Sequence, residues 1–177
     1  AFETTAASAS GIKAALRALG KDDITVVGWA GDGGTSDIGI QALSGAAERN
    51  TDFIYVCYDN EGYMNTGTQR SGSTPLGAVT TTTLMGKTEH KKDMPQIMAA
   101  HNVPYIATVS PSYPLELYDK FRFAKDVKGT RYIHILVPCP PGWGFDPRYT
   151  VEMGEMAVKC GMFDLYEIID GVFSFYG

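Results

Sequence analysis

Gly31-Asp32-Gly33-Gly34 sets one carboxylate among three glycines, between an apolar run and a helical one. Glycines at such a junction let the backbone turn sharply and come close to a ligand. A helix beginning near Thr35 or Ser36 would then offer unpaired N–H groups and a positive dipole end to a phosphate. A bare carboxylate in that setting repels a phosphate unless a divalent cation lies between them. Mg²⁺ is held that way, by one or two carboxylates, neutral oxygens and the phosphate itself. Taken alone, the motif can also be a structural turn in which Asp32 caps a helix. Asn60 stands twenty-eight residues later, at the end of a second apolar run, and is followed by the turn-former Gly62. One βαβ crossover has that length, so Asn60 is expected on the neighbouring strand end, facing Asp32. An amide oxygen and a backbone carbonyl there would complete a hard-oxygen site, and the pairing favours a metal-bridged diphosphate over an ordinary turn asparagine.

The elements that would position these residues alternate. Residues 1–19 read as an Ala-rich helix with Ile12, Ala15, Leu16 and Leu19 on one face, stopped at Gly20. The apolar run 24–30 follows as a strand buried on both faces, which favours a parallel sheet covered by helices. A helix over 36–49 carries Ile38, Ile40, Leu43, Ala46 and Ala47 inward, and a strand over 53–58 succeeds it. Residues 59–92 are rich in Gly, Ser and Thr with little periodicity, and a loop of that length is usually functional or mobile. Helices near 93–101, 114–128 and 150–160 then alternate with strands near 104–109 and 132–137. A short strand, LYEIID, and an aromatic tail, VFSFYG, close the sequence.

This pattern predicts a single α/β domain over residues 1–177, an open, mostly parallel sheet with helices on both faces and right-handed crossovers. Ligands in such sheets sit beyond the C-terminal strand ends, which would gather GDGG, DNEGYMN and PCPPGW along one edge. The helix already under way at Ala1 gives the expectation that the domain is part of a longer chain. The formal net charge of −5 and the single short basic run, His90-Lys91-Lys92, argue against nucleic acid as a partner. The apolar runs are of strand length, so no membrane span is expected. Three widely spaced cysteines, Cys57, Cys139 and Cys160, suit a reducing compartment, and a cytoplasmic location is expected.

GDG followed after one crossover by an Asn-containing turn resembles the thiamine diphosphate-binding motif. The segments GDGGTSDIGIQALSGAAERN, YDNEGYMNTGTQRSGSTP, KKDMPQIMAAHNVPY and YIHILVPCPPGW, in this order, resemble the β subunit of pyruvate:ferredoxin oxidoreductase and its relatives for 2-oxoisovalerate and oxalate. The resemblance implies the thiamine diphosphate-binding fold, with Mg²⁺ on Asp32, Asn60 and the Gly62 carbonyl. It implies a diphosphate cradled by Gly31, Gly33, Gly34 and the helix that follows. Asn65 matches the asparagine placed beside the reacting carbon and is the catalytic candidate; Thr66, Gly67 and Gln69 continue that loop and line the site.

The implied reaction is oxidative decarboxylation of pyruvate or another 2-oxoacid, usually with coenzyme A as acyl acceptor and with electrons leaving through iron–sulfur clusters to ferredoxin. Cys139 matches the fourth ligand of a [4Fe–4S] cluster whose other three thiolates would precede Ala1. A single cysteine is otherwise a small buried hydrophobe, and Cys57 and Cys160 are expected to be packing residues. The glutamates Glu48, Glu116 and Glu152 fall on helices and are expected in solvent, and Glu61 lies on the diphosphate side. The carboxylate that activates the aminopyrimidine is therefore expected from an α-type partner subunit, with further subunits completing a heteromer. VFSFYG and the exposed loop 80–83 are candidate interface elements. Two other functions fit the same residues: a non-oxidative thiamine diphosphate decarboxylase or synthase subunit, and a non-catalytic Mg–nucleotide binding module.

Overall fold

The computed structural model describes residues 2–175. One six-stranded sheet runs in the order β1-β2-β4-β3-β5-β6, with β1 (Val27–Gly31), β2 (Phe53–Asp59), β3 (Tyr105–Val109) and β4 (Thr130–Leu136) parallel. β5 (Tyr166–Ile169) and β6 (Val172–Phe175) add an antiparallel hairpin beyond β3. The α/β class and the mostly parallel sheet thus stand as expected. Within the aromatic tail, residues 172–175 form a strand. Asp170 and Gly171 both take positive φ, which gives the tight turn that a right-twisted hairpin favours. Tyr176 and Gly177 of VFSFYG lie outside the described residues.

Helices cover both faces. On one, α1 (Thr5–Ala18), α3 (Ile40–Glu48) and α4 (Met94–Ala99) bury Ala6, Ala9, Leu43, Ala46 and Met98 against Phe53, Tyr55 and Tyr132. On the other, α5 (Pro114–Asp126) lays Leu117, Phe121 and Ala124 over Ile54, Val56, Ala107 and Ile133. α7 (Thr150–Lys159) returns the chain to β5.

Several details depart from expectation. The buried face of α1 is Ala6, Ala9 and Lys13, with Ile12 and Leu19 exposed. Small residues are needed there because α1 rides close on β1: a Cβ added to Gly28 would lie 3.0 Å from Thr5 Cγ2. The Lys13 ammonium is buried with the carboxylates of Asp22 and Asp52 at 3.0 and 3.2 Å. β1 is not buried on both faces; Val27 and Trp29 are exposed, because β1 is an edge strand that α5 touches through Phe121, beside Trp29, without covering it. Glu116 is buried rather than solvated, in an ion pair with buried Lys120 one helical turn on. Glu48 and Glu152 are exposed as expected. Cys160 is exposed at the end of α7, whereas Cys57 is buried in β2.

The helix expected over 36–49 is two helices. The first, α2 (Asp32–Ser36), is buried along its whole length and begins at Asp32 itself. The break falls at residues 37–39 because Asp37 is drawn out of register. Its carboxylate accepts from the Tyr63 hydroxyl (2.9 Å), the Gly72 N–H (2.9 Å) and Lys92 (2.9 Å). Ile38, expected inward, is left exposed.

Candidate functional site

Parallel pairing of β1 with β2 and of β2 with β4 brings their C-terminal ends to one edge, with Gly31 beside Tyr58 and Asp59 beside Leu136. GDGG, DNEGYMN and PCPPGW leave the sheet there side by side. A cavity of about 470 Å³ opens at this edge; Gly31, Asp32, Gly33, Gly34, Asn60, Gly62, Asn65 and Thr66 all line it, and Phe2, Trp29 and Tyr58 add aromatic walls. Cys139 lies outside that lining. It is half-buried at the start of a short helix, α6 (Pro140–Trp143).

Asp32 does not cap its helix with its side chain. Its carboxylate is buried and accepts a hydrogen bond from the Ser71 hydroxyl at Oδ2. The terminus of the Asn60 amide lies 3.1 Å from the other oxygen, Asp32 Oδ1, and 2.8 Å from the Gly62 carbonyl oxygen. With the amide nitrogen in that position, Asn60 donates to both. With its oxygen there, three oxygens converge, and only a cation reconciles them. Burial, and then the charge of Asp59, push the Asp32 carboxyl up to about 7, against the Ser71 bond that pulls it down. A buried carboxylate that resists ionisation, with an amide and a carbonyl at its second oxygen, is a donor set suited to a hard divalent cation.

Asp59, one residue before Asn60, is buried as well and sits in a different balance. Burial would raise it, but the hydrogen bond and charge of His134 outweigh that and hold it below the ordinary range. The His134 Nε2 to Asp59 Oδ2 distance is 2.8 Å, and Nδ1 is 2.8 Å from the Tyr132 hydroxyl. Burial opposes the charged imidazole, yet Cys57 and Asp59 raise it to about 10. Asp59 also accepts the Glu61 N–H at 2.8 Å, which steadies a residue at φ +67. Glu61 is pushed up to about 7, by burial first, against the pull of Lys91.

Gly33 serves packing as much as ligand approach. A Cβ there would fall 2.1 Å from Cε1 of Tyr63, whose hydroxyl donates to Asp37 and, at 3.3 Å, to the Gly33 carbonyl. Asn65 is exposed at the cavity. Gln69 Nε2 donates to the Thr66 carbonyl at 2.8 Å, and the Thr81 hydroxyl donates to the Gly67 carbonyl at 2.8 Å. In the loop 80–83, Thr80 is buried against Thr83, so only its middle is exposed. Residues the sequence reading passed over, namely Asp59, Tyr63, Ser71, Thr74, His134 and Trp143, hold the lining residues in place. The one available signal was the run Ser71-Gly72-Ser73-Thr74, which is buried throughout.

No helix among the described residues is long and apolar enough to cross a membrane. The family described as "Thiamine pyrophosphate enzyme, C-terminal TPP binding domain" matches residues 1–135. The chain is 60% identical to the pyruvate synthase subunit PorB of Methanothermobacter thermautotrophicus over 98% of its own length and 62% of that relative's. It is 50% identical to the ketoisovalerate oxidoreductase subunit VorB of Pyrococcus abyssi over 98% of its length and 59% of that relative's. It thus spans about three-fifths of the curated relatives it matches. The structure superposes on a 2-oxoglutarate:ferredoxin oxidoreductase from Magnetococcus marinus with a TM-score of 0.74 and 26% identity, covering 85% of this chain and 49% of that one.

Proposed function

The chain belongs to the thiamine pyrophosphate enzyme family, in its C-terminal TPP-binding domain, and from that premise we propose that it is the diphosphate-binding part of a 2-oxoacid:ferredoxin oxidoreductase. The convergence of the Asp32 carboxylate, the Asn60 amide and the Gly62 carbonyl at one cavity carries the reading. These three would hold Mg²⁺, and the cation would join them to the cofactor's diphosphate beside Gly31, Gly33 and Gly34. Bound there, thiamine diphosphate would supply the carbanion chemistry by which a 2-oxoacid loses carbon dioxide.

The chain's own residues bind and orient. Ser71 fixes one Asp32 oxygen and leaves the other toward Asn60. Asn65, exposed at the cavity beside Thr66, would meet the reacting end of the substrate. Cys139 would ligate a [4Fe–4S] cluster together with thiolates from outside these 177 residues. An α-type subunit would close the aminopyrimidine side, further subunits would complete the complex, and ferredoxin would take the electrons. Pyruvate is the proposed substrate, with coenzyme A as acceptor, and the cytoplasm is the proposed location.

The testing experiment is turnover by the assembled protein with pyruvate, coenzyme A and oxidised ferredoxin under anaerobic conditions. Acetyl-CoA formation that depends on Mg²⁺ and thiamine diphosphate is expected, with none from the 177-residue chain alone. Acetaldehyde without ferredoxin reduction would instead mark a non-oxidative decarboxylase, and thermal stabilisation by Mg–ATP but not by thiamine diphosphate would mark a nucleotide module.

A further inference from the structure

The turn 59–63 carries five consecutive backbone carbonyls, and their hydrogen bonds set which one faces the candidate site. Four of the five have other donors. The Asp59 carbonyl accepts from Val137 N–H at 2.7 Å, that of Glu61 from the Thr74 hydroxyl at 2.6 Å, and that of Tyr63 from Gln69 N–H at 3.2 Å. The Asn60 carbonyl accepts the indole Nε1–H of Trp143 at 2.9 Å. Among the described residues, only the Asn60 amide lies on the Gly62 carbonyl.

Trp143 reaches the turn from α6, more than eighty residues away, and α6 is seated to let it do so. A Cβ on Gly142 would fall 2.2 Å from Met64 Sδ, so the helix lies directly against the same loop. The indole is braced edge-on by Phe145 and packs with Leu136, Ala157 and Phe163.

We propose that Trp143 is a positioning residue for the candidate metal site. By occupying the Asn60 carbonyl, it fixes the peptide orientation that leaves the Gly62 carbonyl, rather than its neighbour, beside the Asn60 amide and Asp32. Without that donor the Asn60–Glu61 peptide is held on its N–H side alone, by Asp59, next to a residue at positive φ, and its carbonyl loses the bond that fixes its direction. The inference rests on the metal–diphosphate reading and adds a residue on the Cys139 segment to it.

The test is equilibrium dialysis of thiamine diphosphate into the complete, assembled protein after chelation of divalent metal, titrated with MgCl₂. Trp143→Phe keeps a ring and removes the N–H. The half-saturating Mg²⁺ concentration is expected to rise about 5- to 20-fold, as for a buried acceptor that loses its donor. The number of sites is expected to stay the same, which separates a positioning role from a merely structural lesion that lowers site number and leaves the midpoint alone. Phe145→Leu, which loosens the indole's packing and spares its N–H, should stay within about twofold of wild type. If Trp143→Phe does not assemble, Trp143→Gln against Trp143→Met makes the same comparison of donor and no donor. A midpoint for Trp143→Phe within twofold of wild type, or equal midpoints for the Gln and Met variants, overturns the inference. Absence of any Mg²⁺-dependent binding by wild type overturns the parent reading as well.

Discussion

Gly33→Ala should unsettle the protein through an aromatic ring rather than through a phosphate. The new methyl would lie 2.1, 2.4 and 2.8 Å from Cε1, Cζ and Cδ1 of Tyr63. Carbon atoms rest about 3.5–4.0 Å apart, so the ring must retreat by about 1.4 Å. It cannot do so freely, since its hydroxyl is held at 2.9 Å by Asp37 and at 3.3 Å by the Gly33 carbonyl. A retreat of that size breaks the bond to the Asp37 carboxylate, worth about 1.5–3 kcal/mol, and adds overpacking of about 1–3 kcal/mol. The combined cost of about 2.5–6 kcal/mol corresponds to a fall of about 5–24 °C in Tm for a domain of this size. Thermal unfolding followed by circular dichroism reads it directly, and a double-mutant cycle isolates the cause. In a Tyr63→Ala background, Gly33→Ala should cost less than about 1 kcal/mol, because the methyl then has room. Equal costs in the two backgrounds, or a Tm change below about 2 °C, would refute the packing argument and return Gly33 to ligand approach alone.

Asp32→Asn should separate stability from binding. Because folding raises Asp32 from 3.8 to about 7, the metal-free protein is stabilised by this group below pH 3.8 and loses that contribution as pH rises through 7. The asparagine variant should therefore gain in Tm relative to wild type as pH goes from 4 to 8, while Mg²⁺-dependent cofactor binding disappears; a matching pH profile would contradict this. His134, raised from 6.5 to about 10, contributes stability that is complete below pH 6.5 and lost through pH 10. His134→Gln should flatten the alkaline limb of Tm against pH, and an unchanged limb counts against the Asp59–His134 pair. Glu116→Leu removes the Glu116 carboxylate from the buried Lys120, whose ammonium also donates to the Thr108 carbonyl at 3.0 Å, and should cost about 3 kcal/mol in chemical denaturation. A change below about 1 kcal/mol would mean that other contacts already carry the Lys120 charge.

Much of this architecture was legible because its signals are local. Apolar runs of strand length alternate with helices, and the Gly and Asn turns stand directly after β1 and β2, so their arrival at one edge follows from parallel topology. What stayed hidden depends on contacts distant in sequence. Nothing near Asp37 foretells that Tyr63, Gly72 and Lys92 will pull it from the helix, and nothing near Glu116 foretells that its partner Lys120 will be buried against the Thr108 and Tyr166 carbonyls. The outer face of β1 was misread because a continuous apolar run looks the same at a sheet edge as at its centre. The Asp170-Gly171 pair between two short apolar runs is a local hairpin signal, and both residues take the positive φ that such a turn requires.

The sheet order also has a consequence for biogenesis. Asp59 meets His134 across 75 residues and Asn60 meets Trp143 across 83, because β4 rather than β3 lies next to β2. On the ribosome, the turn that presents Asn60 and Gly62 therefore emerges long before anything can hold it. Closing such distant pairs is entropically slow, and topologies dominated by them fold late. The candidate site should thus be among the last regions to mature in the nascent chain. Until β4 and the segment after it have been synthesised, β1 and β2 form a two-stranded fragment with an apolar face and no assembled site, a natural client for a chaperone.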